Sequence, residues 1–247
     1  MNKFEFKNIA EETVELDLFG EIGENWFGEG NTFEDFYNEI KKIEGKKLII
    51  NLDSVGGSVF DGFAIANAIK QRQGETVCRI YSMCASIATQ IALACNTVEC
   101  FKNSLIMIHL ASAFVAGNKN ELQKQIEMLD KIDNLLADAY VERTNKSREE
   151  VLALMEAETW FNGSEALEIG LVDTILDMPM TAKADIKMAD LKNFKNIPVS
   201  LKEAEEAEIK AKAEAEEKER LAKEEAKRKE IIDKMNMEIS LKLADLD

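Results

Sequence analysis

A single histidine, His109, occurs in the 247 residues, and it closes the apolar run Leu105-Ile106-Met107-Ile108. Imidazole is the only side chain whose ordinary pKa lies near neutrality, so any such chemistry in this chain falls to His109. A histidine at the end of an apolar strand can also be a hydrogen-bonded structural residue. Upstream, Met83-Cys84-Ala85-Ser86-Ile87-Ala88 places Ser86 between an apolar strand and a short apolar helix. There Ser86 can cap the helix, or it can act as a nucleophile with the N–H of Ile87 aimed at a developing oxyanion. A third junction, Asp53-Ser54-Val55-Gly56-Gly57-Ser58, follows another apolar strand. Adjacent glycines allow an oxyanion hole or a clamp on a substrate backbone, and also an ordinary strand-to-helix turn. The pattern GxxxxGK[ST] is absent, so this is not a phosphate loop.

These junctions need a scaffold. Alternation of residue types predicts strands over 4–9, 13–22, 47–52, 76–81, 97–101, 105–109 and 171–176. Helical spacing predicts helices over 60–71, 87–94, 118–143, 147–155 and 164–169, and one beginning after the N-cap candidate Thr32. On helix 60–71, Phe60, Phe63, Ala64 and Ala68 are expected to face the core, with Ile65 and Ile69 widening that face. Leu122, Ile126, Leu129, Ile132, Leu136 and Ala139 form the stripe of helix 118–143. Strands alternating with helices imply an α/β domain with a mostly parallel sheet. In that arrangement the ends of successive strands share one edge, which brings the Gly-Gly turn, Ser86 and His109 together.

Bulk properties narrow the function. The formal net charge is −16, which disfavours nucleic acid and anionic membranes as partners. Cys78, Cys84, Cys95 and Cys100 form no CxxC pair and sit in apolar surroundings, as expected of buried thiols in a reducing compartment. No metal or other cofactor is expected. The first residues lack an apolar signal region, and no run of apolar residues is long enough to span a bilayer, so a cytoplasmic protein is expected. The two prolines, Pro179 and Pro198, mark a change in composition. A boundary near residue 182 is expected, with a body over 1–182 and an Ala/Glu/Lys-rich helical extension over 183–247. Beyond residue 182 the chain carries 15 Lys and Arg against 17 Asp and Glu, so the net acidity belongs to the body. Ile231, Ile232, Met235, Ile239, Leu243 and Leu246 give the end of the extension a stripe suited to self-association or a partner helix.

Four stretches, in this order, resemble the Clp protease proteolytic subunit family (ClpP), which are serine peptidases. Asp53-Ser54-Val55-Gly56-Gly57 resembles its N-S-P-G-G-like turn, and Ser82-Met83-Cys84-Ala85-Ser86-Ile87 its serine segment. Met107-Ile108-His109 resembles its strand end, and Glu165-Ala166-Leu167-Glu168-Ile169-Gly170-Leu171-Val172-Asp173 its closing stretch. The resemblance spans residues 47–176 and implies the ClpP/crotonase-like superhelix of repeated βαβ units, here followed by a long charged C-terminal helix. It implies Ser86 as nucleophile, His109 as general base, and the N–H groups of Gly57 and Ile87 as oxyanion donors. The family's third catalytic residue is an aspartate, and the matching position here is Glu158; Asp173 and a backbone carbonyl are alternatives. Val55 stands where the family has proline, and Ala157 where it usually has arginine, which puts a ring-assembly switch through that arginine in doubt. Gly56, Ser58 and Leu110 are expected to contact an extended substrate strand added by β-augmentation.

The resemblance also implies protein or peptide substrates and a homo-oligomeric ring. The charged extension resembles that of prohead maturation proteases of tailed phages and prophages, with capsid or scaffold protein as partner and a prohead as location. The alternatives are a Clp protease proteolytic subunit working with an ATP-driven unfoldase, and a catalytically inactive ClpP-like scaffold. A crotonase-like acyl-CoA enzyme shares the fold but does not need Ser86 and His109 together, and basic residues for CoA phosphates are scarce. The related Ser-Lys signal-peptide peptidases are membrane-anchored.

Overall fold

A computed structural model describes residues 4–10, 12–24, 30–43, 45–177 and 194–199, with isolated positions 210, 217, 218 and 220 in the extension. The expected C-terminal helix and the boundary near residue 182 fall outside the described residues. By internal contacts the chain divides into residues 1–196 and 197–247, so residues 194–196 belong with the body.

The body begins with an antiparallel pair, β1 (Phe4–Ala10) and β2 (Thr13–Phe19). In β2 the alternation Val14, Leu16, Leu18 faces the core, as the period-2 pattern requires. Two short pieces, β3 (Gly23–Glu24) and β4 (Gly30–Asn31), form a separate ribbon. Then α1 (Phe33–Ile40) starts where Thr32 accepts a hydrogen bond from the Asp35 N–H. The parallel sheet continues through β5 (Lys47–Ser54), α2 (Val59–Gln71), β6 (Thr76–Ala85), α3 (Ala88–Leu93), β7 (Thr97–Phe101) and β8 (Leu105–Ile108). It is followed by α4 (Lys119–Arg143), α5 (Arg148–Glu156), β9 (Thr159–Asn162), α6 (Gly163–Ile169) and β10 (Thr174–Leu176). The main path of the sheet is β1-β2-β5-β6-β7-β10, and β8 pairs with β6 off that path. All pairs from β2 to β10 along this path are parallel.

One departure from the sequence expectation decides the site. Strand β6 does not stop at Tyr81 but runs on to Ala85. Its register on β5 jumps from Leu52↔Ile80 to Ser54↔Cys84, a bulge that bends the strand. Before the bulge β6 pairs with β7; after it, Met83-Cys84-Ala85 pairs with Leu105-Ile106-Met107 of β8. Asp53 spans the fork: its buried carboxylate accepts from Ser82 Oγ at 2.8 Å and from the Met83 N–H at 3.0 Å. On the other side Ser104 Oγ donates to the Ile80 and Tyr81 carbonyls. Strand β9, antiparallel to β8, has no counterpart among the expected strands; its four residues are too few to show a period.

Helix packing also differs from the expected faces. On α2 the buried residues are Gly62, Ile65, Ala66 and Ile69, whereas Phe60 is 68% exposed. The small residues Gly62 and Ala66 allow close approach: a Cβ on Gly62 would lie 2.2 Å from Ile87 Cγ1. On α4 the stripe is buried only at Ile132 and Leu136 in its C-terminal half, and Ala137 and Tyr140, outside the expected stripe, are buried beside them. Leu122 and Ile126 are exposed. All four cysteines are buried and free. No described helix is long and apolar enough to cross a membrane.

Candidate active site

The β6–β8 pairing brings the serine to the histidine. Ser86 follows β6 and donates its N–H to the Met107 carbonyl at 2.9 Å, two residues before His109. This puts Ser86 Oγ 2.7 Å from His109 Nε2. Ser86 has φ 56°, a left-handed conformation uncommon for a residue with a Cβ. Such strain persists only where the surroundings over-determine it. Here the Ser86 carbonyl is fixed twice by Thr89, through its N–H at 3.0 Å and its Oγ1 at 2.6 Å. Thr89 Oγ1 lies 2.5 Å from the hydroxyl of the buried Tyr140, so α4 buttresses the turn.

Beneath the serine lies the glycine turn. Gly56 has φ 93°, and a Cβ there would lie 2.8 Å from both the Ala85 carbonyl oxygen and Ser86 Cβ. Gly57 has φ 141°, and a Cβ there would meet the Ile22 carbonyl oxygen at 2.2 Å. Only glycine permits this approach to the serine. The turn is tied down by Ile22, whose N–H donates to the Gly56 carbonyl and whose carbonyl accepts from the Ser58 N–H. Among the described residues the N–H groups of Gly57 and Ile87 donate to no protein acceptor.

A cavity of about 250 Å³ unites these parts. Gly56, Gly57, Ser86, Ile87 and His109 line it together with Phe194. Of the expected substrate contacts, Gly56 lines the cavity, but Ser58 and Leu110 do not. Ser58 is instead the N-cap of α2, accepting from the Asp61 N–H and donating to its carboxylate. The Leu110 N–H donates to the Met155 carbonyl, so it is not free to pair with an added strand. Ala111 and Ser112 take that place on the cavity wall.

Glu158 follows α5, is 8% exposed, and has φ 49°. Its negative charge reaches His109 and raises the imidazole pKa, but burial has the larger effect and holds it below the ordinary 6.5. No hydrogen bond joins the two side chains. Both carboxylate oxygens are taken instead by backbone N–H groups, Oε2 by Lys195 at 3.0 Å and Oε1 by Asn196 at 2.5 Å. The other alternative, Asp173, is committed elsewhere. It accepts from the Val98 N–H and pairs with Arg143 at the sheet edge.

A family profile described as Clp protease matches residues 38–179. The chain belongs to the Clp protease family. It is 31% identical over 137 residues to the ATP-dependent Clp protease proteolytic subunit 1 of Protochlamydia amoebophila, covering 54% of this chain and 66% of that one. The subunit of the same name from Chlamydia abortus is 28% identical over 162 residues, covering 61% and 84%. A solved structure of ClpP1 from Listeria monocytogenes, an asparagine-to-aspartate variant, superposes with a TM-score of 0.58 at 20% identity, covering 66% of this chain and 90% of that one. That likeness concerns the fold.

Within this Clp protease scaffold, three groups that act on the site escape a reading of the sequence. Asp53 reads there only as part of a glycine turn; its being the one acidic residue of the strand segment KLIINLDS is the available signal. Thr89 and Tyr140 sit 51 residues apart, and no local pattern links them. Phe194 lies in a segment without periodicity, yet its ring packs edge-on against His109 at 5.5 Å and Trp160 at 5.8 Å.

Proposed function

We propose that this chain is a serine endopeptidase that cleaves peptide bonds by acyl transfer. The observation that carries this reading is the 2.7 Å contact between Ser86 Oγ and His109 Nε2, made by a serine in a left-handed conformation above a Gly-Gly turn. Ser86 Oγ attacks the substrate carbonyl carbon while its proton passes to His109 Nε2. The N–H groups of Gly57 and Ile87 hold the oxyanion. Collapse expels the amine, which takes the proton from His109, and water then hydrolyses the acyl-enzyme by the same route. Glu158 completes the triad by offsetting the charge the imidazole gains, and orients the ring once its oxygens turn from Lys195 and Asn196. The free N–H pair, the burial of His109 and the family membership support this assignment. Labelling with a fluorophosphonate probe tests it: Ser86 is modified in the wild type and nothing is modified in Ser86→Ala. An assembled, folded sample that does not label sinks the peptidase reading and leaves the inactive scaffold.

Two settings follow. The names of the relatives support a proteolytic subunit that degrades proteins with an ATP-driven unfoldase. The charged extension supports a prohead maturation protease acting on capsid or scaffold protein. Incubating wild type beside Ser86→Ala and weighing both separates them. Loss of the extension in the wild type alone favours head maturation, and an intact extension in both favours the degradative subunit. The exposed Leu122 and Ile126 on α4 support assembly into a homo-oligomer.

A further inference from the structure

We infer that Glu158, Ala157, Trp160 and His109 form a peptide-binding subsite whose resident ligand is the chain's own segment Phe194-Lys195-Asn196, and that this occupancy withholds the acid from His109. The consequence for catalysis rests on the serine peptidase reading; the subsite itself does not. The segment is held as a bound peptide is held. Two successive backbone N–H groups meet the two oxygens of one carboxylate, at 3.0 and 2.5 Å. Asn196 Nδ2 donates to the Ala157 carbonyl at 2.8 Å, so the backbone beside the carboxylate is engaged as well. Phe194 stands edge-on to two rings at once, at 5.5 and 5.8 Å, and also forms a wall of the cavity that holds Ser86.

The arrangement has a direction. With its oxygens directed to the Lys195 and Asn196 N–H groups, the Glu158 carboxylate makes no hydrogen bond to the imidazole in this structure. The Phe194 ring, a wall of the Ser86 cavity against His109, narrows the space a substrate chain must enter. The ligand class that fits is an extended peptide with an aromatic side chain followed by two free backbone N–H groups. Release of residues 194–196 leaves Glu158 free to turn to the imidazole and widens the cavity. The segment 194–196 is therefore an intramolecular competitor for the subsite it occupies.

The test uses the full chain and two variants that loosen the segment in different ways. Phe194→Ala removes both ring contacts, and each such pair biases an equilibrium by about two- to tenfold. Asn196→Pro removes one of the two N–H donors. A fluorescently labelled peptide of residues 191–198 is titrated by anisotropy, with the same peptide carrying alanine for phenylalanine as control. Both variants are expected to bind the peptide roughly tenfold tighter than the wild type, since the resident segment no longer competes, and the control peptide to bind far more weakly. Fluorophosphonate labelling of Ser86 is expected to be about tenfold faster in both variants. Tighter binding with no labelling in any form keeps the subsite and removes the peptidase reading. Failure of both variants to bind the peptide, or slower labelling than wild type, overturns the inference, because the segment would then complete the site and not mask it.

Discussion

Gly56 offers the sharpest test of how this backbone makes a nucleophile. Its φ of 93° is outside the range side chains accept readily, and a Cβ would stand 2.8 Å from the Ala85 carbonyl oxygen and from Ser86 Cβ. Neither is the far end of a flexible side chain, so relief requires the Ser86 turn itself to shift. Gly45 provides the control, since it has φ 84° but a Cβ there would meet no atom within 4 Å. Alanine at either site incurs roughly 1–3 kcal/mol of backbone strain. For a body of this size that lowers the melting temperature by about 2–4 °C per kcal/mol. Only Gly56→Ala adds the displacement of Ser86, and misplacement of a reacting group by about 1 Å costs on the order of 100-fold in rate. The assay is the second-order rate of fluorophosphonate labelling, read beside thermal melting. Gly45→Ala is expected to melt lower and label at the wild-type rate, whereas Gly56→Ala labels about 100-fold more slowly. Wild-type labelling in Gly56→Ala, or equal losses in both variants, would refute the argument.

Three further outcomes follow from the same structure. His109 must be neutral to take the proton, and burial holds its pKa below 6.5 against the charge of Glu158; labelling should therefore rise with pH to a plateau whose midpoint lies below 6.5, and Glu158→Gln should move that midpoint lower still. A midpoint above the ordinary histidine value contradicts this. Burial pushes the Asp53 carboxyl from 3.8 up to about 6, so the folded state holds its proton more tightly than the unfolded chain. Stability is lost as pH rises through that window, by roughly 3 kcal/mol at most. Asn at this position keeps an oxygen for Ser82 and Met83 without ionising, so Asp53→Asn should raise the melting temperature more at about pH 7.5 than at about pH 4; an equal change at both would rule the argument out. Thr89→Val removes one hydrogen bond to the Ser86 carbonyl and one of the bonds of the Tyr140 hydroxyl, which should lower stability by about 1–3 kcal/mol and slow Ser86 labelling, while Thr89→Ser restores both. An unchanged labelling rate in Thr89→Val would show that the buttress does not hold the nucleophile.

Much of the fold is written in local pattern. Thr32, Asn118 and Ser147 cap their helices because a short polar side chain before an apolar period satisfies free N–H groups. The types of Ser86, His109 and the glycine pair are equally plain, since each sits where a strand gives way to a helix or loop. Less legible is which face of α2 is buried. Ile65 and Ile69 turn inward with Gly62 and Ala66, leaving Phe60 outside, because close approach to Ile87 favours small residues over large ones. Ser58 and Leu110 read as substrate contacts from their positions beside the turn and the histidine; in the fold the Ser58 side chain caps α2 and the Leu110 N–H is bonded to Met155.

The sequence by itself determined the α/β alternation, the candidate serine and histidine, and the glycines that let backbone approach them, because periodicity, capping and φ preference act over a few residues. Tertiary structure alone decided that Ser86 and His109 meet at 2.7 Å, since this depends on a bulge that transfers β6 from β7 to β8. It alone decided that Glu158 is held by Lys195 and Asn196. Such pairings join residues far apart in the chain, and which of the available partners a buried polar group takes is set by the packing around it, which no local spacing records.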